Sequence, residues 1–174
     1  MKHILAVVFL MQSSVAVQPS LAAAENPWAS IRFLEGTWEA RSSGGGAGAK
    51  VSGSYTFKRE LKDRILARHS DADATCKGPK NFDCDHSDLL YVFQEIEGHP
   101  LKGIYFDNEG HVIHYDVSAP APNTVIFLSP ESAGPQFRLV YELNDSVMSG
   151  KFQMRMPGQA DWKSYLEWAG SRKK

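Results

Sequence analysis

From Gly36 onward, apolar and polar residues alternate with a period of two, and turn residues break the alternation about every eight to twelve positions. Ten segments carry the pattern: Thr37–Ser42, Lys50–Arg59, Arg64–Asp71, Asp88–Ile96, Leu101–Asp107, His111–Val117, Thr124–Ser129, Gln136–Leu143, Ser146–Met154 and Trp162–Trp168. Several connections are short and chemically specific. Asp107-Asn108-Glu109-Gly110-His111 suits a type I turn closed by a glycine bulge, because Gly110 can adopt the positive φ such a turn demands. Asn144-Asp145 suits a two-residue hairpin, and Gly98-His99-Pro100 forms most of a third tight loop. Hairpin-linked strands leave two exposed edges unless the sheet closes on itself, so the pattern predicts an all-β, ten-stranded up-and-down antiparallel barrel. Ahead of it, Asn26-Pro27 supplies a helix N-cap and a first-turn proline, with Trp28, Ile31 and Leu34 on one face and Gly36 as the stop.

Cross-strand pairs divide the faces. A turn at Asn144-Asp145 sets Tyr141 opposite Met148, Leu139 opposite Gly150 and Phe137 opposite Phe152, all turned inward. The other face pairs Arg138 with Lys151 and belongs in water. Across the Asp107–His111 turn, Tyr105 meets Ile113 and Gly103 meets Tyr115 inside, while Ile104 and Phe106 point out. The Gly98-His99-Pro100 loop sets Ile96 against Leu101 and adds Tyr91 and Phe93 to the outer patch. An outer aromatic patch of this kind suits a homodimer contact through Tyr91, Phe93, Ile104 and Phe106. A one-residue register slip would turn the same residues inward, and both alternatives stay open.

The start of the chain reads as a leader. Lys2 and His3 precede the apolar run Ile4–Met11, and small residues follow up to Ala24, so residues 1–24 are expected to be removed on export. The apolar run is too short to span a bilayer. A single domain over 25–174 remains, in a periplasmic or secreted setting. With 43% hydrophobic residues and a formal charge of -1, the chain supports one ordinary core and has no field to gather nucleic acid or an anionic membrane. Export makes Cys76 and Cys84 a disulfide pair, closing a short loop for about 2.5 kcal/mol of chain entropy. The rival is a metal site from Cys76, Cys84 and His86 with His69 nearby, but zinc sites usually have tighter cysteine spacing. No metal is expected.

Phe33-Leu34-Glu35-Gly36-Thr37-Trp38, just before the first strand, resembles the G-x-W signature of the calycin barrels: lipocalins, fatty-acid-binding proteins and nitrobindin-type haem proteins. With Tyr105–His111, it makes the chain similar to lipocalin-like proteins exported by bacteria. The resemblance implies a short N-terminal helix closing one barrel end, with Trp38 packed across it beneath a basic residue near the chain end, here Arg172. It also implies an interior that takes a small hydrophobic molecule. Haem in the nitrobindin-type barrels sits on a late histidine, whereas this chain has none after His114, so no cofactor is expected.

The candidate lining is Trp38, Tyr55, Phe57, Arg68, Tyr105, Tyr115, Phe137, Tyr141, Phe152 and Trp162. Arg68 carries the sharpest chemistry, since an inward guanidinium could hold a ligand carboxylate. Either Arg68 or His69 points inward, depending on register. His111 falls at the barrel rim and His114 on the patch side. Asp83, Asp85 and Asp88 crowd one loop without EF-hand spacing and read as solvated. No nucleophile elbow, zincin motif or assignable triad is present, so catalytic residues are not expected. The leading function is an exported barrel binding a small hydrophobic molecule, with an acidic head as one option. The alternatives are an enzyme using the same cavity and an envelope interaction protein with a solid barrel.

Overall fold

The computed structural model describes residues 26–72, 75–80, 82 and 84–174; the expected leader over 1–24 lies outside them. A helical turn α1 (Pro27–Ser30) is capped by the Asn26 side chain, which accepts the Trp28 backbone N–H at 3.0 Å. The expected helix is shorter than its apolar pattern: Ile31 leaves helical geometry, and a 3-10 turn over Arg32–Leu34 follows. Burying Ile31 and Leu34 in the barrel outweighs continuing a short helix whose hydrogen bonds are marginal in isolation.

Ten antiparallel strands follow: β1 (Gly36–Gly44), β2 (Ser52–Glu60), β3 (Ile65–Ala72), β4 (Ser87–Phe93), β5 (Lys102–Asp107), β6 (Val112–Ala121), β7 (Thr124–Leu128), β8 (Gln136–Asn144), β9 (Val147–Arg155) and β10 (Lys163–Arg172). Each pairs with its sequence neighbour, and β10 returns to β1 with Trp38 opposite Arg172, closing the barrel. No sheet edge is left open.

Two hairpin registers differ from expectation, each by two residues. The β8–β9 turn is centred on Asp145-Ser146, so Tyr141 meets Gly150 and Leu139 meets Phe152. Asp145 takes the left-handed conformation at φ 54°, which aspartate tolerates better than most residues. Strand β4 ends at Phe93, opposite Lys102, and the connection to β5 is a wider loop over 94–101. Leu101 tucks inward there while Ile96 is left exposed. A slip of two preserves which side chains face in, so the division of faces survives. Tyr91, Phe93, Ile104 and Phe106 accordingly lie on the outer face, half-buried, alternating with inward Leu90 and Val92. They form a stripe consistent with the contact surface expected there.

The Asp107–His111 turn has the expected form: Gly110 sits at φ 89° and donates its N–H to the Asp107 carbonyl at 3.2 Å. Cys76 and Cys84 form the disulfide, Cα atoms 5.5 Å apart, so neither is free to bind a metal.

Short connections at 61–64, 94–101, 122–123 and 145–146 gather at the end occupied by the N-terminal turns. That end is closed. The Trp38 indole donates to the Leu34 carbonyl at 2.8 Å, and the Arg172 guanidinium lies 4.4 Å over its ring. Arg172 also donates to the Glu35 and Phe33 carbonyls, strapping the N-terminal turns to the last strand. Arg59 adds a second strap, stacked 4.3 Å over Trp28 and paired with Glu35 at 2.9 Å.

Candidate functional site

Above this plug, the inward side chains form an aromatic floor around Tyr141. Phe57, Tyr55, Trp168 and Phe127 surround its ring at centroid distances of 5.5, 6.0, 5.7 and 6.2 Å. Trp38, Phe57 and Tyr141 are fully buried in this packed layer. Toward the other end the packing opens into a cavity of about 710 Å³. Tyr55, Arg68, Tyr105, Tyr115, Phe137 and Phe152 all line it. The Phe137 and Phe152 rings stack in parallel at 5.7 Å.

Trp162 is elsewhere. Strand β10 carries a bulge between Ser164 and Leu166, with Tyr165 as the extra residue. Leu166 and Trp168 point inward, but the bulge reverses the alternation ahead of it. Trp162 therefore lies outside the barrel, held between Arg138 at 4.3 Å and Arg155 at 4.9 Å. Trp168 takes the interior place expected of it. Its indole lies directly over Gly150 on β9, where any Cβ would overlap the ring. Period-two alternation puts Trp162 and Trp168 on one face, and the bulge that separates them leaves no clear mark in the sequence.

Of the two registers on β3, the structure takes the one with Arg68 inward, and His69 is exposed. Arg68 is 5% exposed and bonded to the Asp88 carboxylate and the Tyr141 hydroxyl. Burial opposes its charge, but Asp88 more than compensates and the guanidinium stays a cation. Burial likewise works against the Asp88 anion, and Arg68 overcomes it, holding that carboxyl below the usual range. Ser70 donates to the second Asp88 oxygen at 3.2 Å. Asp88 is thus a buried counter-ion, not a solvated loop acid. Its signal was available, since it alternates with Leu90 and Val92 on β4.

At the mouth, His86, Tyr105, Asp107, Glu109 and His111 form a second polar cluster beside the cavity. His86 Nδ1 bonds Glu109 at 2.9 Å, and its Nε2 lies 3.2 Å from the Tyr105 hydroxyl and 3.4 Å from Asp88. Bonding to Asp88 outweighs burial and pushes the imidazole up to about 9, so it is charged at neutral pH. Burial raises Tyr105, Tyr55 and Tyr115 far above the ordinary phenol range and Tyr141 to about 12, so all four are neutral hydroxyls.

Among the described residues, four buried side-chain polar atoms lack a hydrogen-bond partner: Tyr55 Oη, Arg68 Nε, Tyr115 Oη and Trp168 Nε1. All four residues line the one cavity. The Trp168 N–H lies near enough to Tyr55 to ease its ionisation slightly, yet no well-formed bond joins them. The histidines lining the cavity, His86 and His111, sit at the mouth, tied to Glu109 and to Asp107, and the interior offers tyrosine, tryptophan and arginine.

No protein-family model and no curated protein matches the chain. Among solved structures it is similar to Rv2717c from M. tuberculosis, at 15% identity and a TM-score of 0.53 over 87% of this chain and 100% of that one. It is also similar to the S-type phycobiliprotein lyase CPES from Guillardia theta, at 10% identity and a TM-score of 0.44 over 83% of this chain and 90% of that one. The first likeness is one of fold alone; the second is too distant to carry an argument.

Proposed function

We propose that the barrel is a carrier for one small, largely apolar molecule with an acceptor oxygen, in the manner of the calycin-like proteins that its Phe33–Trp38 segment resembles. The observation that carries this reading is that the four residues whose buried polar atoms lack partners, among the described residues, all line one cavity. Buried polar groups in native proteins are almost always bonded, and each orphan costs about 1–3 kcal/mol. A molecule whose entry turns these side chains toward it and supplies their partners recovers that cost on binding. Two of the four, Arg68 Nε and Trp168 Nε1, can only donate, so the ligand presents acceptors such as a carbonyl or ether oxygen.

An acid head is disfavoured, because Arg68 already holds Asp88 and a carboxylate would have to displace it. The volume of about 710 Å³ suits a molecule of drug or lipid-fragment size. The Cys76–Cys84 bridge supports a periplasmic or extracellular setting.

The test is a thermal-shift and tryptophan-fluorescence screen with neutral oxygenated hydrophobics, beside mass spectrometry of protein purified from its host. Binding should quench Trp168, and Tyr115→Phe should weaken oxygenated ligands about tenfold while sparing their hydrocarbon analogues. Host-purified protein that is always empty, together with no shift across the panel, would overturn the reading.

A further inference from the structure

The cluster at the barrel mouth has a geometry that small-molecule binding does not require. His86, Asp107 and Glu109 each offer a ligating atom, and the three atoms lie within 4.8 Å of one another. We propose that these three side chains form a binding site for a borderline divalent transition ion of the Zn²⁺ class, with His111 beside them as a fourth donor.

The site is built from two pieces of chain brought side by side. Asp107, Glu109 and His111 come from the β5–β6 turn, whose shape depends on Gly110. His86 precedes β4, which pairs with β5 so that Asp88 lies opposite Asp107. Asn108 fastens the two pieces together. Its side chain accepts the Ser87 N–H at 3.0 Å and donates to the Asp85 carbonyl at 2.8 Å, and its own N–H donates to the Ser87 carbonyl at 3.1 Å.

The ligands are held by outer partners in the way metal sites are. One Asp107 oxygen accepts the backbone N–H groups of Glu109 and His111 at 3.0 and 2.8 Å, which fixes the carboxylate and presents the other oxygen to the cluster. That second oxygen accepts from the Tyr105 hydroxyl at 3.2 Å and contacts His111 Nδ1 at 2.9 Å. Tyr105 also lies 3.2 Å from His86 Nε2, so one phenol orients both an imidazole and a carboxylate. Outer-shell bonds of this kind set ring orientation and ligand basicity.

The Asp107 side chain is 4% exposed and rigidly held, whereas Glu109 is 41% exposed and can rotate inward to complete coordination. Two carboxylates balance a divalent charge, and the nearest buried cation, Arg68, is occupied by Asp88. The ion takes the place of the proton that His86 carries in the free protein, which leaves to solvent on binding. Imidazole with carboxylates suits zinc and its first-row neighbours; Ca²⁺ and Mg²⁺ favour oxygen-only shells, and the paired cysteines remove any thiolate. All four donors also line the cavity, so a bound ion would border it. The site stands whether or not the barrel carries an organic ligand.

The test uses metal alone on EDTA-treated protein. Titration with Co²⁺ should give one equivalent of visible ligand-field absorption, displaced by Zn²⁺ and not by Ca²⁺ or Mg²⁺. His86→Ala and Glu109→Gln should each weaken binding at least tenfold. Glu109→Gln loses a single exposed ion pair and should melt as the parent does, keeping the result interpretable if His86→Ala is unstable. Tyr105→Phe should weaken binding by a smaller factor, and His69→Ala and His114→Ala, outside the barrel, should leave it unchanged. Absence of a one-equivalent site, unaltered affinity in Glu109→Gln, equal loss in the outer-histidine controls, or equal affinity for Ca²⁺ would each overturn the proposal.

Discussion

The two ends of the barrel use the same alternation of residues for opposite purposes. At the closed end the connections run over 61–64, 94–101, 122–123 and 145–146, and the Trp38 N–H and Arg172 guanidinium have their partners. At the open end the connections span 45–51, 73–86, 108–111, 129–135 and 156–162, and the unpartnered polar atoms belong to residues that line the cavity opening there. Apolar burial with satisfied polar groups stabilises without needing any other molecule. A partly empty interior with orphaned donors sacrifices some of that stability for a place where a molecule can sit. The closed end holds the fold; the open end leaves volume and polar groups unfilled.

The largest expected effect comes from breaking the plug. Trp38→Ala should cost about 3–5 kcal/mol by removing a fully buried indole, lowering Tm by about 10 °C or more, as calorimetry would show. Residual folded protein should still bind ligand, since Trp38 does not line the cavity. Next, Asp88→Asn should cost about 3 kcal/mol or more, because it leaves Arg68 buried without its counter-charge. The double variant Arg68→Met with Asp88→Leu should recover most of that loss in denaturant unfolding. Failure to recover it would mean that the pair contributes more than mutual neutralisation.

A smaller effect sharpens the division between the ends. Gly150→Ala should cost about 1–3 kcal/mol and push Trp168 from its place, shifting tryptophan emission and reducing ligand affinity together. An unchanged spectrum would mean that the ring is not seated on Gly150.

The mildest expectation concerns pH. His86 is raised from its ordinary 6.5 to about 9 in the folded protein. Its stabilising contribution is therefore complete below about pH 6.5 and lost as pH rises through 9. In EDTA-treated protein, unfolding free energy should decline gently over that window, and His86→Gln should flatten the decline.

Much of this was legible one strand at a time. Alternation grouped Phe137 with Tyr141, Tyr105 with Tyr115 and Tyr91 with Phe93, and the Asp107–His111 turn declared its own shape, but which way the Tyr91 and Phe93 group faces was left open until the barrel turned it outward. Even where two hairpin registers moved by two residues, the faces held. Trp162 and Trp168 are the instructive failure: they share parity in the sequence, and the Tyr165 bulge sends them to opposite sides of the sheet. Asp88 was misread because its neighbours Asp83 and Asp85 drew it into a loop, although its spacing from Leu90 and Val92 marked it as inward.

By itself the sequence determined which side chains could share a face, because that depends on residues two apart and on turns of a few residues. Only the closed barrel decided which of them meet. Arg68 reaches Tyr141 across 73 positions and Asp88 across 20, and Trp168 rests on Gly150 from a neighbouring strand. The interior cation, its counter-ion and the unpartnered hydroxyls acquire their chemistry from those distant pairings, since charge and desolvation are set by what surrounds a group in space and not by its neighbours along the chain.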